Sequence, residues 1–550
     1  MRVQSRAKSR SVFWNTARII WVGGWLTGLL WAASLGPAMA GDSVSTEIQA
    51  ILKAGRFPEL HWGNFSDVAK PLSQLYGQGA DPLWFRDGGP TPQAREMVKS
   101  LAEADNQGLN AVDYDAGLLA KWLAGDALQA SDARSVAKFD VALTIAATRY
   151  VSNLYLGRIN PRTVGFALDV EPKRLDVPKR VRDIMQSSNP REVLTALEPR
   201  FPMYHPLKEA LLRYRKLAAD VPYMKFGFPA KFKPGMSHKD VPALRKLLVA
   251  LGDLKTLDPA LDKSEVYDPA LADAVKAYQI RHGLGNDGII GKNTLARLST
   301  PIADRLKQIE IGLERLRWLP DVRGSYIIVN IPSFKLYGAK TGDGPGSYDI
   351  EMNVVVGEAI DGHGTPVFHS DMSMVTFRPY WNVPPSIAEK ELGPLISKNP
   401  AYLAKHGMEL VGNGAGGYRI RQKPGPKNAL GKIKFSFPNT NNVYLHGTPS
   451  QSLFKRDRRD FSHGCIRVED PPKLAEWVLA DNGDWPMERI RQYMEGADNK
   501  TIALKKNIPV YILYSTVMAD PDGTISFFED IYGHDRTLQV LLSKGFPYPR

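Results

Sequence analysis

Asn442-Val443-Tyr444-Leu445-His446-Gly447-Thr448-Pro449 and Ser462-His463-Gly464-Cys465-Ile466-Arg467-Val468 contain two short runs of strand character, each bearing a chemically able side chain at one end. The first is apolar until it closes on His446. The second is followed by Asp470, an N-cap for a helix opening on Pro471-Pro472. Both His446 and Cys465 therefore fall at element ends, where side chains face clefts. Cys465 is the single cysteine among 550 residues and lies nineteen positions after His446 (465 − 446). No intramolecular disulfide can form, and thiolate metal sites ordinarily need several sulfur ligands, so no metal is expected. The thiol is then either a buried apolar filler or a nucleophile. Its neighbouring glycine and imidazoles argue for the nucleophile.

Upstream, Tyr326-Ile327-Ile328-Val329-Asn330-Ile331, Lys335-Leu336-Tyr337 and Met352-Asn353-Val354-Val355-Val356 are β-branched or aromatic runs separated by Pro332, Gly338 and a Gly/Pro-rich stretch from Gly342 to Gly346. They predict sheet strands joined by turns. From Ile48 to about Val221 the pattern is helical. Pro92 opens a helix capped by Thr91, with Ala94, Met97, Val98 and Leu101 on one face, and the run from Phe139 to Leu156 predicts another core helix. Trp62, Trp84 and Trp122 are expected to pack. The leader carries Arg2, Arg6, Lys8, Arg10 and Arg18, an apolar run from Ile19 to about Leu35, and Gly36-Pro37-Ala38-Met39-Ala40, the pattern of an export signal. It is either cleaved after Ala40 or persists as an inner-membrane anchor. Either way the expected location is the periplasm.

The net charge of +13 falls to 13 − 5 = +8 without that leader, and 43% of the chain is hydrophobic. Roughly three globular domains with real cores are implied. The residual charge suits an anionic wall or lipid surface, and no arginine-rich nucleic-acid stripe is present. Between about Pro234 and Thr300, Leu244, Leu247, Leu248 and Leu251 mark one short helix. Asp268 caps a second, Ala274-Val275-Lys276-Ala277-Tyr278-Gln279 lies within it, and Gly285-Asn286-Asp287-Gly288-Ile289-Ile290-Gly291 leads into a third. This pattern resembles the peptidoglycan-binding domain family. The resemblance implies wall affinity, with a spacer that keeps only the fold as the other reading. The loop holds too few acidic positions for calcium.

The histidine and cysteine motifs, together with Tyr380-Trp381-Asn382-Val383-Pro384-Pro385-Ser386-Ile387, resemble the L,D-transpeptidase catalytic-domain family, in particular its large Gram-negative branch. Many members carry Asn two places after the cysteine; here Arg467 stands there. The resemblance implies a multidomain α+β chain. Its expected parts are a leader at 1–40, a helical scaffold at 41–233, a three-helix wall-binding module at 234–300, a charged linking helix at 301–324, a mostly-β catalytic domain at 325–515 with a candidate lid at 384–435, and a C-terminal tail at 516–550. It also implies that Cys465 is the nucleophile and His446 its base, oriented by the Gly447 carbonyl, with His463 as the alternative base. The backbone N–H groups of Gly464 and Cys465 would hold an oxyanion. Arg467, Ser462, Tyr380 and Trp381 are the expected substrate contacts, Arg467 through a carboxylate fork. The expected substrates are peptidoglycan tetrapeptide stems as donor and acceptor, joined 3→3 through a thioester with release of D-alanine. No cofactor is needed, and carbapenems are expected to acylate the thiol. A hydrolase such as an L,D-carboxypeptidase would use the same pair. A papain-like protease is excluded by motif order, since that family places its cysteine before its histidine.

Overall fold

The computed structural model describes residues 38–548 except 126–127, 129–131, 169–172, 323, 341–347, 361, 413–416 and 521. Residues 1–37 of the expected leader therefore lie outside the described residues, and 38–40 open the helix Ala38–Ala54. Among the described residues no helix is long and apolar enough to cross a membrane. The first unit is a helical bundle around Ala133–Leu156, a 24-residue helix buried on nearly every side. Its Asp140 carboxylate accepts from the Tyr76 hydroxyl (2.7 Å) and from the Leu83 and Trp84 amides (3.0 and 2.7 Å). Burial nevertheless pushes that carboxyl up to about 6. Pro92–Ala102 is capped as its sequence predicts, Thr91 accepting from the Ala94 amide at 3.1 Å, and Ala94, Met97, Val98 and Leu101 are all buried. A minimal hairpin, β1 (Phe85–Arg86) with β2 (Gly89–Pro90), joins this packing.

The second unit has its own core, built on Val241–Leu251, Pro269–Arg281 and Lys292–Leu298. Asp268 caps the middle helix at 3.0 Å from the Leu271 amide. Residues 301–324 were expected to form a charged linking helix; a helix forms at Ile302–Arg317, and it packs into the core of the bundle. Glu314 is wholly buried and accepts from the Ile159 amide at 3.0 Å and from Arg158. Gly312 lies so close to its neighbours that an added Cβ would stand 2.5 Å from Val517. Of its charges, Asp304 and Lys307 stay exposed, while Glu314, Arg315 and Arg317 are paired and enclosed.

The third unit is a sheet of β3 (Tyr326–Asn330), β4 (Lys335–Ala339), β5 (Ile350–Gly357), β6 (Phe368–Phe377), β10 (Ile433–Ser436), β11 (Leu445–His446), β12 (Asp460–Ser462), β13 (Ile466–Val468) and β14 (Lys500–Leu513). The order is β12-β5-β13-β11-β10-β6-β14-β3-β4, and β4 also pairs β5, so all but β12 close into a ring. Inserted after β6 is a small body of β7 (Trp381–Asn382), β8 (Met408–Gly412) and β9 (Tyr418–Gln422) with short helices between them. It has a separate core of Val383, Leu392 and Ile420. This corrects the expected lid boundary at 435, because Ile433 and Phe435 are fully buried in the main sheet. The segment expected to be a tail is also packed. It forms β15 (Val517–Ala519), β16 (Ile525–Phe527) and a helix His534–Leu542, and it buries Phe527, Leu538, Phe546 and Tyr548.

Candidate active site

β11 and β13 run parallel with Leu445 opposite Ile466 and His446 opposite Arg467, while Lys434 of β10 lies opposite His446 on the other side. Because side chains alternate along strands, Lys434, His446 and Arg467 share one face. Tyr444 and Cys465, each two residues earlier, continue that face. Cys465 is thus opposite Tyr444 and diagonal to His446. The Tyr444 hydroxyl interacts with both the Cys465 thiol and the Trp381 side chain, so the inserted body reaches Cys465 through one phenol.

His446 is buried, and its Nδ1 lies 2.5 Å from the Gly447 carbonyl oxygen. A carbonyl only accepts, so Nδ1 carries the proton and Nε2 is left with its lone pair. Burial, with smaller contributions from Arg467 and Lys434, lowers the imidazole from 6.5 to about 3. His446 is therefore neutral at physiological pH. Gly431, at φ +64°, lets the chain pass within reach of Gly447: a Cβ there would stand 2.7 Å from the Gly447 carbonyl carbon. Cys465 is half-buried, and burial raises its thiol despite opposing help from Tyr444, Lys434 and Arg467. Sγ donates to the Asn442 carbonyl at 3.6 Å, and among the described residues no hydrogen bond joins it to His446. Thiol and imidazole are thus brought to one face as a neutral pair.

The remaining expected residues divide by exposure. Ser462 is buried, its hydroxyl donating to the Cys465 carbonyl and accepting from the Gly464 amide at 3.3 Å. It braces the turn, and its one O–H donor is committed there. The Gly464 N–H is committed there too, whereas the Cys465 N–H has no hydrogen-bond partner among the described residues. Gly464 itself sits at φ +105°, where a side chain would be strained. His463 is exposed, its Nε2 2.7 Å from a carboxylate oxygen of Glu391 in the inserted body and its ring 4.6 Å from that of His363. Tyr380 is exposed beneath the Arg421 guanidinium at 4.3 Å. Arg467 and Lys434 have no carboxylate partner among the described residues, and Lys434 lies 4.0 Å over the Tyr444 ring. Sequence reasoning passed over Lys434 and Tyr444. Lys434 stands between buried Ile433 and Phe435, an alternation that marks a face but not which strands flank it.

Residues 324–512 match the model of the L,D-transpeptidase catalytic domain, 237–298 that described as "Putative peptidoglycan binding domain", and 70–211 that of the scaffold domain. The chain therefore carries an L,D-transpeptidase catalytic domain together with a peptidoglycan-binding module, on a mixed α+β fold with a helical N-terminal region. A "Putative L,D-transpeptidase" of Haemophilus influenzae is 32% identical over 250 residues, 42% of this chain and 49% of that protein. The chain thus aligns to about half that relative's length. Among solved structures, an L,D-transpeptidase from Stackebrandtia nassauensis is 13% identical at a TM-score of 0.22, over 55% of this chain and 100% of that one. A fused Zn-dependent amidase/peptidase/peptidoglycan-binding protein from Clostridium acetobutylicum is 13% identical at 0.15, over 52% and 100%. The two matched cell-wall modules imply an extracytoplasmic location.

Proposed function

We propose that the protein is a cysteine-dependent transpeptidase that builds 3→3 crosslinks between peptidoglycan stems in the periplasm. The observation that carries this reading is the neutral His446, whose Nδ1–H is locked on Gly447 and whose free Nε2 shares a sheet face with Cys465. In the donor tetrapeptide the carbonyl at the L-centre of diaminopimelate is the electrophile. The thiol turns from Asn442 toward His446, Nε2 takes its proton, and Sγ bonds to the carbonyl carbon. The oxyanion forms against the Cys465 N–H. Its collapse breaks the amide, and the departing D-alanine amine takes the proton back from Nε2. An acceptor amine then attacks the thioester, passes its proton to Nε2, and releases the thiol. Amide energy is carried through the thioester, so no nucleotide is required. Lys434 and Arg467, two cations without carboxylate partners, suit a donor that bears carboxylates on both sides of the scissile amide.

Water as acceptor would give an L,D-carboxypeptidase instead, and the inserted body over Tyr444 is what disfavours it. Purified protein incubated with isolated sacculi should yield crosslinked dimers rather than free tripeptides on mass spectrometry of the digested wall. Cys465→Ala should give neither and should gain no carbapenem mass, because the methyl removes the nucleophile with little change in volume. Turnover or an adduct in that variant would sink the assignment.

A further inference from the structure

The sequence carries His-Gly-Thr-Pro twice, at 363–366 and at 446–449, and the chemistry above uses only the second. In space the first copy lies directly behind the catalytic turn. The Thr365 hydroxyl donates to the Gly464 carbonyl oxygen at 2.8 Å and accepts from the Gly357 amide at 2.8 Å. The Tyr532 hydroxyl accepts from the Thr365 amide at 3.2 Å and donates to the Gly357 carbonyl at 2.5 Å. Two hydroxyls, one of them from the segment after the last strand of the ring, thus close a loop of three hydrogen bonds through Gly357, and a fourth reaches from Thr365 to Gly464. Thr365 is buried, and the Tyr532 ring packs at Gly364, 3.5 Å from where a Cβ would stand.

The consequence follows from peptide geometry. Gly464 C=O and Cys465 N–H belong to one planar trans unit and point in opposite directions. A hydrogen bond that holds the carbonyl toward Thr365 therefore turns the Cys465 N–H to the other side. That N–H has no partner in the described residues, whereas the neighbouring Gly464 N–H is already committed to Ser462. Gly464, at φ +105°, has no Cβ to restrict rotation of this unit, so its orientation must be imposed from outside. We propose that Thr365, braced by Tyr532, is the positioning residue that sets the Gly464–Cys465 peptide plane and so aims the oxyanion donor. The proposal rests on Cys465 being the nucleophile and adds what holds its amide in place.

The test separates oxyanion stabilisation from thiol reactivity. Acylation by a carbapenem passes through a tetrahedral oxyanion; alkylation by iodoacetamide needs the thiol and its base but forms none. Direct loss of an oxyanion donor costs about 10²- to 10³-fold, and misaiming one should cost less. Thr365→Val, nearly isosteric, is expected to slow acylation roughly 10- to 100-fold while alkylation stays within about twofold. Thr365→Ser, which keeps the hydroxyl, should recover most of the rate. Tyr532→Phe, which removes a single oxygen and leaves the packing ring, should show a smaller defect of the same kind and guards against a Thr365 variant that fails to fold. Acylation unchanged in both Thr365→Val and Tyr532→Phe, both rates falling together, or no recovery by Thr365→Ser would each overturn the proposal. A wild type acylated elsewhere than Cys465 would overturn the nucleophile reading as well, which a peptide map distinguishes.

Discussion

A histidine held near 3 is a poor proton store and a dependable lone pair. With the thiol raised by burial, the pair rests uncharged, and proton transfer accompanies attack rather than preceding it. The same burial leaves a trace in stability. His446 titrates at about 6.5 when unfolded and about 3 when folded, so the unfolded chain binds the extra proton between those values. Stability is full above 6.5 and is lost as pH falls toward 3, by at most about 1.4 kcal/mol per pH unit. His446→Gln should remove that part of the acid slope in denaturant titrations and slow lactam acylation by about 10²- to 10⁴-fold. His363→Gln, whose ring rests on His463, should stay within a few-fold and keep the slope; a larger acylation defect at His363 would reassign the base. His446 and Cys465 are the parts of this candidate site that local sequence displays, because a strand end and a lone thiol are local facts, whereas the Gly447 carbonyl was legible only through the family resemblance. Lys434, Tyr444 and Thr365 reach the site through strand register and chain crossing, which no run of neighbours encodes.

At the scale of elements, the inserted body is a separable piece. Its core is distinct from that of the ring, and it leaves and re-enters through β7 and β9, where Asn382 pairs with Arg421. Its tie to the catalytic turn, Glu391 to His463, is exposed on both sides and contributes less than about 1 kcal/mol. Replacing residues 383–420 by Asn-Gly would close Asn382 and Arg421 into a two-residue hairpin. The ring should still fold and Cys465 should still acylate. Hydrolysis of the resulting acyl-enzyme should accelerate by on the order of tenfold, about 1.4 kcal/mol of lost water exclusion. An unchanged acyl-enzyme lifetime would make the insertion a packing ornament. The sequence marks this region by its length and glycines, yet its far boundary is misread because Ile433 and Phe435 alternate as a core strand only once β6 lies beside them.

At the scale of the whole molecule, the wall-binding module shows how a family signature can serve the fold. Gln279 is buried, its amide spanning Asp287, the Ile289 carbonyl and Thr294 and accepting from the Gly288 amide, while Tyr278 is stacked on His282 at 3.8 Å. These motif residues hold helix to loop, so any wall affinity resides on other surfaces. Residues 222–300 span the module's separate core, and as an isolated domain they should pull down with sacculi; no retention would make the module a spacer. The segment from 514 to 548 knits the molecule. Arg281 of the module donates to the Ile525 carbonyl, Arg315 of the bundle pairs with Asp535, Tyr548 approaches Asp113, and Tyr532 stands behind the catalytic turn. The side chains proposed for the chemistry all precede Tyr532, and so does the last strand of the ring, which ends at Leu513. A chain cut between 514 and 531 therefore keeps every strand that carries thiol and imidazole, and on the proposal above it loses only what aims the amide. On that proposal such damaged copies are disarmed rather than released as loose nucleophiles.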